Sequence, residues 1–426
     1  MLSEIQKLYD VFEKYPAIST DSRNIVKDSI FFALKGDHFD GNEFAMNALE
    51  DGASFAVIDN PRFKTDNRFI LVENVLNTLQ LLAGEHRKKL NIPVIGITGS
   101  NGKTTTKELI AAVLSTQYNC RATKGNLNNH IGVPLTLLSM NCQTEIAVVE
   151  MGANHIGEID DLCRIAVPDF GIITNIGKAH LEGFLTIENI IQTKSALYRS
   201  VEKFGKTVFV NADDSLLMTL SDKQNRYTYS RETAGDVNAH LICTDVYLTL
   251  EWMGHVMKTN LFGVYNIYNV LAAITIGKYF KISDDNIVKA IKSYNPVNNR
   301  SQLIKTKRNT VVMDAYNANP TSMEAAIKSF LVMNSDSKVL ILGDMLELGN
   351  DSLQEHKNII SLIANQGIRD VFLVGEMFSA AADKHFKTFG NVDALKAYLE
   401  EKHFVEKTIL VKGSRGIRLE TALPAL

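Results

Sequence analysis

Short apolar runs of strand length alternate with stretches carrying apolar residues at helical spacing over the first 87 residues. The runs are 30–34 (IFFAL), 53–58 (ASFAVI) and 68–72 (RFILV), and together they predict a small α/β unit. A second series begins at 92–98 (IPVIGIT) and repeats strand then helix through 146–150, 170–174 and 207–211. Such alternation predicts a parallel sheet with helices on both faces. The stretches 245–250 and 256–262 read as antiparallel strands appended to that sheet. A helix is predicted over 266–280, with Ile267, Val270, Leu271 and Ile274 on one face. The pattern then restarts near 298, where 310–314, 338–343, 370–375 and 407–412 are strands separated by helix-length stretches, as in a Rossmann-like domain. The prediction is an α/β chain of three domains at 1–87, 88–297 and 298–426, with a ligand cleft between the larger two.

The length, 426 residues, agrees with roughly three domains at ~150 residues each. Lys and Arg number 45 against 48 Asp and Glu, a net charge of −3, so there is no cationic field to draw in nucleic acid or an anionic membrane. The opening string MLSEIQKLYDVFEK alternates acids and bases without the apolar core of a signal peptide. No run reaches the ~18 apolar residues of a membrane span. Cys120, Cys142, Cys163 and Cys243 lie far apart, with no Cys-x-x-Cys pair to suggest zinc or redox chemistry. With eight prolines there is no Pro-rich linker. A soluble, cytoplasmic monomer is expected.

Chemistry enters at Gly96-Ile-Thr-Gly-Ser-Asn-Gly-Lys-Thr-Thr-Thr106, which joins a buried strand to a helix on which Leu109, Ile110, Val113 and Leu114 cluster. Glycines let backbone N–H groups wrap a phosphate, and the helix N-terminus adds partial positive charge. Lys103 is placed to neutralise outer phosphates, and Thr104 to ligate Mg²⁺. The strict G-x-x-x-x-G-K-[ST] string fails by one place, because Ile stands at 97 and the glycines fall at 96, 99 and 102. The order strand, Gly-rich loop, Gly-Lys-Thr and helix nevertheless predicts nucleoside triphosphate binding over a plain surface turn.

A magnesium nucleotide needs an acid at the end of a neighbouring strand. Glu150 closes 146–150 and fits that role, although a strand-end Glu is also commonly just a solvated loop residue. The helix from Ile187 has apolar residues at 187, 190, 191, 197, 198 and 201, and Lys194 falls on that same face. A lysine there either snorkels its ammonium to solvent or sits desolvated, with a lowered pKa and a reactive amine. His180 lies in a polar loop after the strand 170–174, at the sheet edge where ligands collect.

Several strings together resemble one family. Thr98-Gly-Ser-Asn-Gly-Lys-Thr104 is similar to the ATP loop of the Mur ligases and folylpolyglutamate synthetases, which join an amino acid or peptide to a carboxylate. The resemblance is carried further by Lys124-Gly-Asn-Leu-Asn-Asn-His-Ile-Gly-Val-Pro134, Glu150-Met-Gly-Ala-Asn-His-Ile-Gly-Glu158 and Asp314-Ala-Tyr-Asn-Ala-Asn-Pro320. Leu342-Gly-Asp-Met-Leu-Glu-Leu-Gly349 and Lys412-Gly-Ser-Arg415 complete it, in the order that Mur ligases show, from Asp21-Ser-Arg23 nearly to the end. Within the family these strings resemble the ligases that add D-alanyl-D-alanine to UDP-N-acetylmuramoyl-tripeptide.

That resemblance implies an N-terminal domain for the UDP-muramoyl peptide, a central P-loop ATPase-like domain and a C-terminal Rossmann-like ligase domain. It implies ATP contacts from Gly99, Ser100, Asn101, Gly102, Lys103, Thr104 and Thr105, with Asn266 and Asn269 near adenine and Arg300 and Asp314 reaching in from the C-terminal domain. Thr104 and Glu150 would hold the ATP-side Mg²⁺, while His180 and a Lys194 carbamylated by CO₂ would hold a second. Lys103, His180 and Lys194 are thus the implied catalytic residues. For the UDP-muramoyl peptide the matching positions are Ser22, Arg23, Asn126, Asn128 and Asn129, though a plain turn accounts for such strings equally well. Tyr316, Asn317, Asn319, Lys412, Ser414 and Arg415 are matching positions for the incoming dipeptide, with Asp344 and Glu347 nearby. One departure stands out: Tyr265 occupies the place where the family usually has His in Gly-x-His-Asn-x-x-Asn.

The expected reaction is attack of the tripeptide carboxylate on the γ-phosphate of ATP, followed by displacement of phosphate by the dipeptide amine. No side-chain nucleophile is needed, and domain closure would bring Arg300 and Asp314 onto ATP. Other readings are a ligase of the same superfamily adding a single amino acid, a non-enzymatic nucleotide switch, and a small-molecule kinase. A switch has no need of His180 or Lys194, and a kinase needs a general base that is not evident.

Overall fold

Val94–Thr98 is apolar at nearly every position, so neither of its faces tolerates water, and it lies inside a seven-stranded sheet in a computed structural model. The structure describes residues 3–243, 246–297, 299–335, 337–364 and 366–426. The predicted domain start at 298 and the first residue of the predicted strand at 245 lie outside them. Strand order in the central sheet is 237–238, 226–230, 207–211, 170–173, 94–98, 146–150, 120–122, parallel throughout. Side chains alternate as the strand period requires. Ile95 and Ile97 join a core with Leu109, Ile110 and Val270, while Val94 joins another with Ile159, Ile190 and Leu197. Helices Lys103–Leu114 and Ile267–Tyr279 therefore cover one face, and Glu158–Ala166 and Ile187–Phe204 the other. Gly96 permits the second contact, since a Cβ there would stand 2.9 Å from Leu197 Cδ1.

The helix Ile267–Tyr279 carries more than the single apolar face read from its sequence. Ala272, Ala273 and Gly277 are buried as well, because the sheet, helix Lys103–Leu114 and helix Asp284–Ser293 surround it. The antiparallel strands are also placed differently. Thr249–Trp252 pairs with His240–Cys243 on one side and His255–Lys258 on the other in a separate three-stranded sheet, rather than extending the parallel one. Met253 and Gly254 both have positive φ, at 50° and 79°, which is the tight two-residue turn that folds a hairpin onto itself. Leu250, Trp252 and Met257 face the central core from that hairpin.

The C-terminal sheet has six strands in the order 302–305, 310–314, 408–412, 338–343, 370–374, 387–389, and its first pairing alone is antiparallel. The N-terminal sheet is parallel, in the order 17–19, 29–32, 55–58, 69–71. No helix among the described residues is long and apolar enough to cross a membrane.

Helix Val75–Leu90 fastens the N-terminal sheet to the central unit. Leu79, Leu82 and Ala83 pack into the shared core, and His86 receives Tyr9 Oη–H at Nδ1 (3.0 Å) and reaches Met140 O at 3.1 Å through Nε2. One turn's end later, Arg87 donates to Ala166 O at 2.9 Å, Val167 O at 3.0 Å and Asp169 Oδ2 at 2.8 Å. The two carbonyls lie at the end of helix Glu158–Ala166, so the guanidinium satisfies groups that have no helical partner while pairing with the Asp169 carboxylate. Replacing Arg87 by Ala strands them, and the expected loss is ~2–4 kcal/mol of central-domain stability. Urea unfolding followed by circular dichroism measures it.

Candidate functional site

The turn between Thr98 and Lys103 is built on two close approaches. Gly99 has φ +146°, and a Cβ there would stand 2.0 Å from Thr174 Oγ1; Gly102 has φ +78°, and its Cβ would meet Asn269 Oδ1 at 2.6 Å. Larger residues at either place would push the loop off its neighbours. The adjacent strand Phe170–Ile173 delivers Thr174 and Asn175 to the same edge. Asn175 grips Asn101 twice: its Oδ1 accepts Asn101 N–H at 3.0 Å and its Nδ2 donates to Asn101 O at 3.0 Å. Thr174 Oγ1 donates to the same carbonyl at 2.6 Å, and Ser100 Oγ bonds Gly177 O at 2.9 Å. Helix Lys103–Leu114 then starts at the cleft, which Gly102, Lys103, Thr104 and Thr105 line, the placement that phosphate binding requires. Lys103 Nζ donates back to Gly99 O at 2.7 Å and Ser100 O at 3.3 Å. Burial lowers its pKa, with Glu150 opposing that and Arg300 adding to it.

Glu150 ends the strand on the other side of the loop and is 1% exposed. Its Oε1 accepts from Thr104 Oγ1 at 3.2 Å and from Asn128 Nδ2 at 2.8 Å, whereas Oε2 accepts no hydrogen bond. An orphaned carboxylate oxygen beside a helix-start hydroxyl suits a hard divalent cation. Among the described residues no three His, Cys, Asp or Glu side chains converge, so such a cation would take its remaining oxygens from phosphate and water, as Mg²⁺ does. Asn126, Asn128 and Asn129 line the cleft; Asn128 is turned onto Glu150, and Asn129 Oδ1 accepts Gly132 N–H at 2.9 Å at the start of helix Gly132–Leu138.

His180, with φ +52°, also lines the cleft. Its Nδ1 lies 2.5 Å from Glu347 Oε2 of the C-terminal domain, a contact that is an ion pair when the imidazole is protonated. That contact lowers the Glu347 pKa. Lys194 does not snorkel. It is 1% exposed, its Nζ stands 5.7 Å over the Phe184 ring, and burial together with the Lys103 charge pulls its pKa well down, with Glu158 opposing. The desolvated alternative is therefore the one the fold adopts, although Lys194 lies outside the residues that line the cavity.

From the C-terminal domain, Arg300 stacks its guanidinium 3.6 Å above the Tyr316 ring. Asp314 and Lys412 end adjacent strands and bond at 2.6 Å, and Asp314 Oδ1 also accepts Ser301 N–H at 2.9 Å. Tyr265, standing where the family usually has His, bonds Ser301 Oγ at 2.8 Å, so it ties the central domain to the C-terminal one. Asn319 Nδ2 donates to Asn101 Oδ1 of the phosphate loop at 2.8 Å. All these residues, with Asn317, Lys103, Thr104, Thr105, Glu150 and His180, border one cavity of about 690 Å³.

Asn266 and Asn269 border it too, with their amides linked in a chain: Thr106 Oγ1 donates to Asn269, Asn269 to Asn266, and Asn266 to Phe262 O. Besides Gly99 and Lys194, four proposed positions lie outside the cavity lining. Ser22 and Arg23 sit on the N-terminal domain, where Arg23 pairs with Asp21 at 2.8 Å and its side chain is 87% exposed. Ser414 is buried, accepting Leu346 N–H at 2.9 Å and donating to Ala318 O at 3.3 Å, and Arg415 lies 5.6 Å from the Tyr316 ring. Sequence reasoning missed Asn175, Glu158 and Lys107 at the cleft or behind it. Asn175 had a readable signal, an amide at the end of the strand next to the phosphate loop.

Comparison with known proteins assigns the class. Residues 14–95 match the Mur ligase family catalytic domain, 97–277 the Mur ligase middle domain and 299–415 the Mur ligase glutamate ligase domain. The UDP-N-acetylmuramoyl-tripeptide–D-alanyl-D-alanine ligase of Bacillus subtilis is 37% identical over 95% of this chain and 91% of its own length. The protein of that name from Escherichia coli is 32% identical over 96% and 93%. A crystal structure of MurF from Acinetobacter baumannii superposes with a TM-score of 0.85 at 31% identity, covering 96% of this chain and 92% of the other. The MurF ligase of Thermotoga maritima, solved in complex with ADP, also gives 0.85, at 26% identity over 100% and 98%. The chain belongs to the Mur ligase family and is an ATP-dependent ligase. These full-length likenesses place it in the MurF branch of that family.

The state of Lys194 has a consequence for pH. A lysine whose pKa is lowered on folding binds fewer protons in the native chain than in the unfolded one, so stability rises with pH between the lowered value and the ordinary 10.5. With CO₂ excluded, Lys194→Met is expected to flatten that rise and to be the more stable protein at its lower end. Thermal unfolding of both proteins between pH 7 and 10 checks the sign.

Proposed function

We propose that the chain adds D-alanyl-D-alanine to the terminal carboxylate of UDP-N-acetylmuramoyl-tripeptide, consuming ATP and giving UDP-N-acetylmuramoyl-pentapeptide, ADP and phosphate in peptidoglycan synthesis. The observation that carries this reading is the single cavity bordered by Lys103, Thr104 and Glu150 on one side and by Arg300, Asp314 and Lys412 on the other. Relatives bearing that name match over nearly the whole chain. Residues 1–87 are proposed to carry the UDP-muramoyl end, with Ser22 and Arg23 as contacts, 88–297 the ATP, and 298–426 the dipeptide.

A carboxylate oxygen of the tripeptide attacks the γ-phosphorus, the bond to the β,γ-bridging oxygen breaks, and ADP leaves. The dipeptide amine then attacks the carbonyl carbon of the acyl phosphate, loses a proton, and expels inorganic phosphate. Both partners of the first step are anions, so the task is positioning and charge compensation. Lys103 and Arg300 supply fixed positive charge, and the start of helix Lys103–Leu114 supplies backbone N–H groups. Thr104 and Glu150 would hold a Mg²⁺, which would add further charge neutralisation there. Of the residues that line the cavity, Asn126, Asn128 and Asn129 are assigned to the peptide end and Tyr316, Asn317, Asn319 and Lys412 to the dipeptide. We assign Lys194 as a carbamate, formed when its neutral amine adds to CO₂ with loss of one proton. Burial and the Lys103 charge favour the neutral amine that this addition needs. With His180, the carbamate would hold a second Mg²⁺.

Phosphate release is expected to require both UDP-N-acetylmuramoyl-tripeptide and D-alanyl-D-alanine. Release that ignores the dipeptide, or that needs glutamate and a folate, overturns the reading. Lys194→Ala is expected to lose roughly 10²-fold or more in turnover while ATP affinity stays near wild type. An intact-mass measurement showing an unmodified Lys194, together with full activity of the Ala variant, discards the carbamate.

A further inference from the structure

We infer that Lys107 is a positioning residue for Glu150, holding the carboxylate in the orientation that takes the nucleotide's divalent cation. The inference rests on the assignment of Glu150 to the cation proposed above, and it adds a residue to which neither the sequence motifs nor the reaction scheme gave a role.

Lys107 lies one helical turn beyond Lys103, on the same side of helix Lys103–Leu114. Lys103 turns into the phosphate loop, whereas Lys107 runs inward and is 2% exposed. Its Nζ stands 3.6 Å from Glu150 Oε2 and donates to Gly125 O at 3.0 Å. Removing two charges from water is costly, and mutual attraction offsets that cost only when the geometry and the remaining hydrogen bonds are good. Here the geometry is not optimised for stability. At 3.6 Å the ammonium holds Oε2 by charge without hydrogen bonding to it, and Oε2 has no other donor. Meanwhile Oε1 is fixed by Thr104 and Asn128. The carboxylate is thus prevented from rotating while one of its oxygens keeps its lone pairs available.

The Gly125 contact extends the argument. Loop residues Asn126, Asn128 and Asn129 line the cavity, and Lys107 anchors that loop from beneath through a backbone carbonyl. One ammonium therefore joins the phosphate-loop helix, the cation carboxylate and the loop facing the peptide end.

The test is calorimetric titration of ADP into the full chain, with Mg²⁺ and separately with EDTA, for wild type and Lys107→Met. Wild type is expected to bind more tightly with Mg²⁺. In Lys107→Met the Mg²⁺ titration is expected to weaken by about tenfold or more while the EDTA titration stays within about twofold, the pattern of a lost support for a metal ligand. Should the Met variant not fold, Lys107→Gln, which keeps a donor for Gly125 O and removes the charge, is expected to show the same selective loss. Equal weakening in both titrations marks a merely structural lysine and overturns the inference, as does an unchanged ratio. A wild type whose ADP affinity ignores Mg²⁺ overturns the assignment of Glu150 to the cation as well, so the two failures are distinguishable.

Discussion

Positive charge held out of water is the condition on which the rest of the site depends. Lys103 and Lys107 belong to the helix that follows the phosphate loop, Lys107 is almost wholly buried, and Arg300 borders the same cavity from the C-terminal domain. Against them the strand ends offer the buried Glu150 carboxylate. Lys194, desolvated and acted on by the Lys103 charge, is driven toward the neutral amine and so drops out of this excess of positive charge, whereas the positive charge that acts on Lys103 is that of Arg300. A protein does not keep such an excess for stability, because replacing buried charge by apolar packing is commonly neutral or better. The excess makes sense once a polyanion arrives, when the fixed charges act without reorganising and in a medium that screens them poorly.

The fold makes this arrangement with ordinary parts. Val94–Thr98 lies between Phe170–Ile173 and Ile146–Glu150 in a parallel sheet, so the three strand ends open at one edge. The loop after the middle strand is clasped by Thr174 and Asn175 from one neighbour and overlooks Glu150 on the other. The C-terminal sheet repeats the device, with Asp314 and Lys412 at the ends of adjacent parallel strands. Two sheets presenting the same kind of edge to each other produce a cleft whose polar groups need no long loops to carry them.

How much of this the sequence disclosed follows from burial. Long apolar strands such as Val94–Thr98, Ile146–Glu150 and Lys338–Gly343 were legible because both faces are covered. Ala17–Ser19, Cys120–Ala122, Arg226–Ser230, Val237–Asn238, Gln302–Lys305 and Lys387–Phe389 were not, being short or half-exposed strands at or near sheet edges, with little apolar signal. The phosphate loop could be read because its chemistry is local in sequence. Lys107 could not, since its meaning lies in a contact with Glu150 and Gly125, neither of which is adjacent along the chain. Lys194 was caught by its wrong polarity on an apolar face, a signal that the fold explains by burying it.

Asn319 serves two domains with one amide. Its carbonyl oxygen accepts Ser322 N–H and caps helix Pro320–Leu331, while its nitrogen holds Asn101 in the phosphate loop. If the domains part, the cap survives intact and the loop loses one neutral hydrogen bond, worth about 0.5–1.5 kcal/mol. Such a joint behaves as a latch rather than a weld. It is weak enough to be undone by thermal motion, yet it seats the C-terminal domain directly against the Gly-rich loop of the central one.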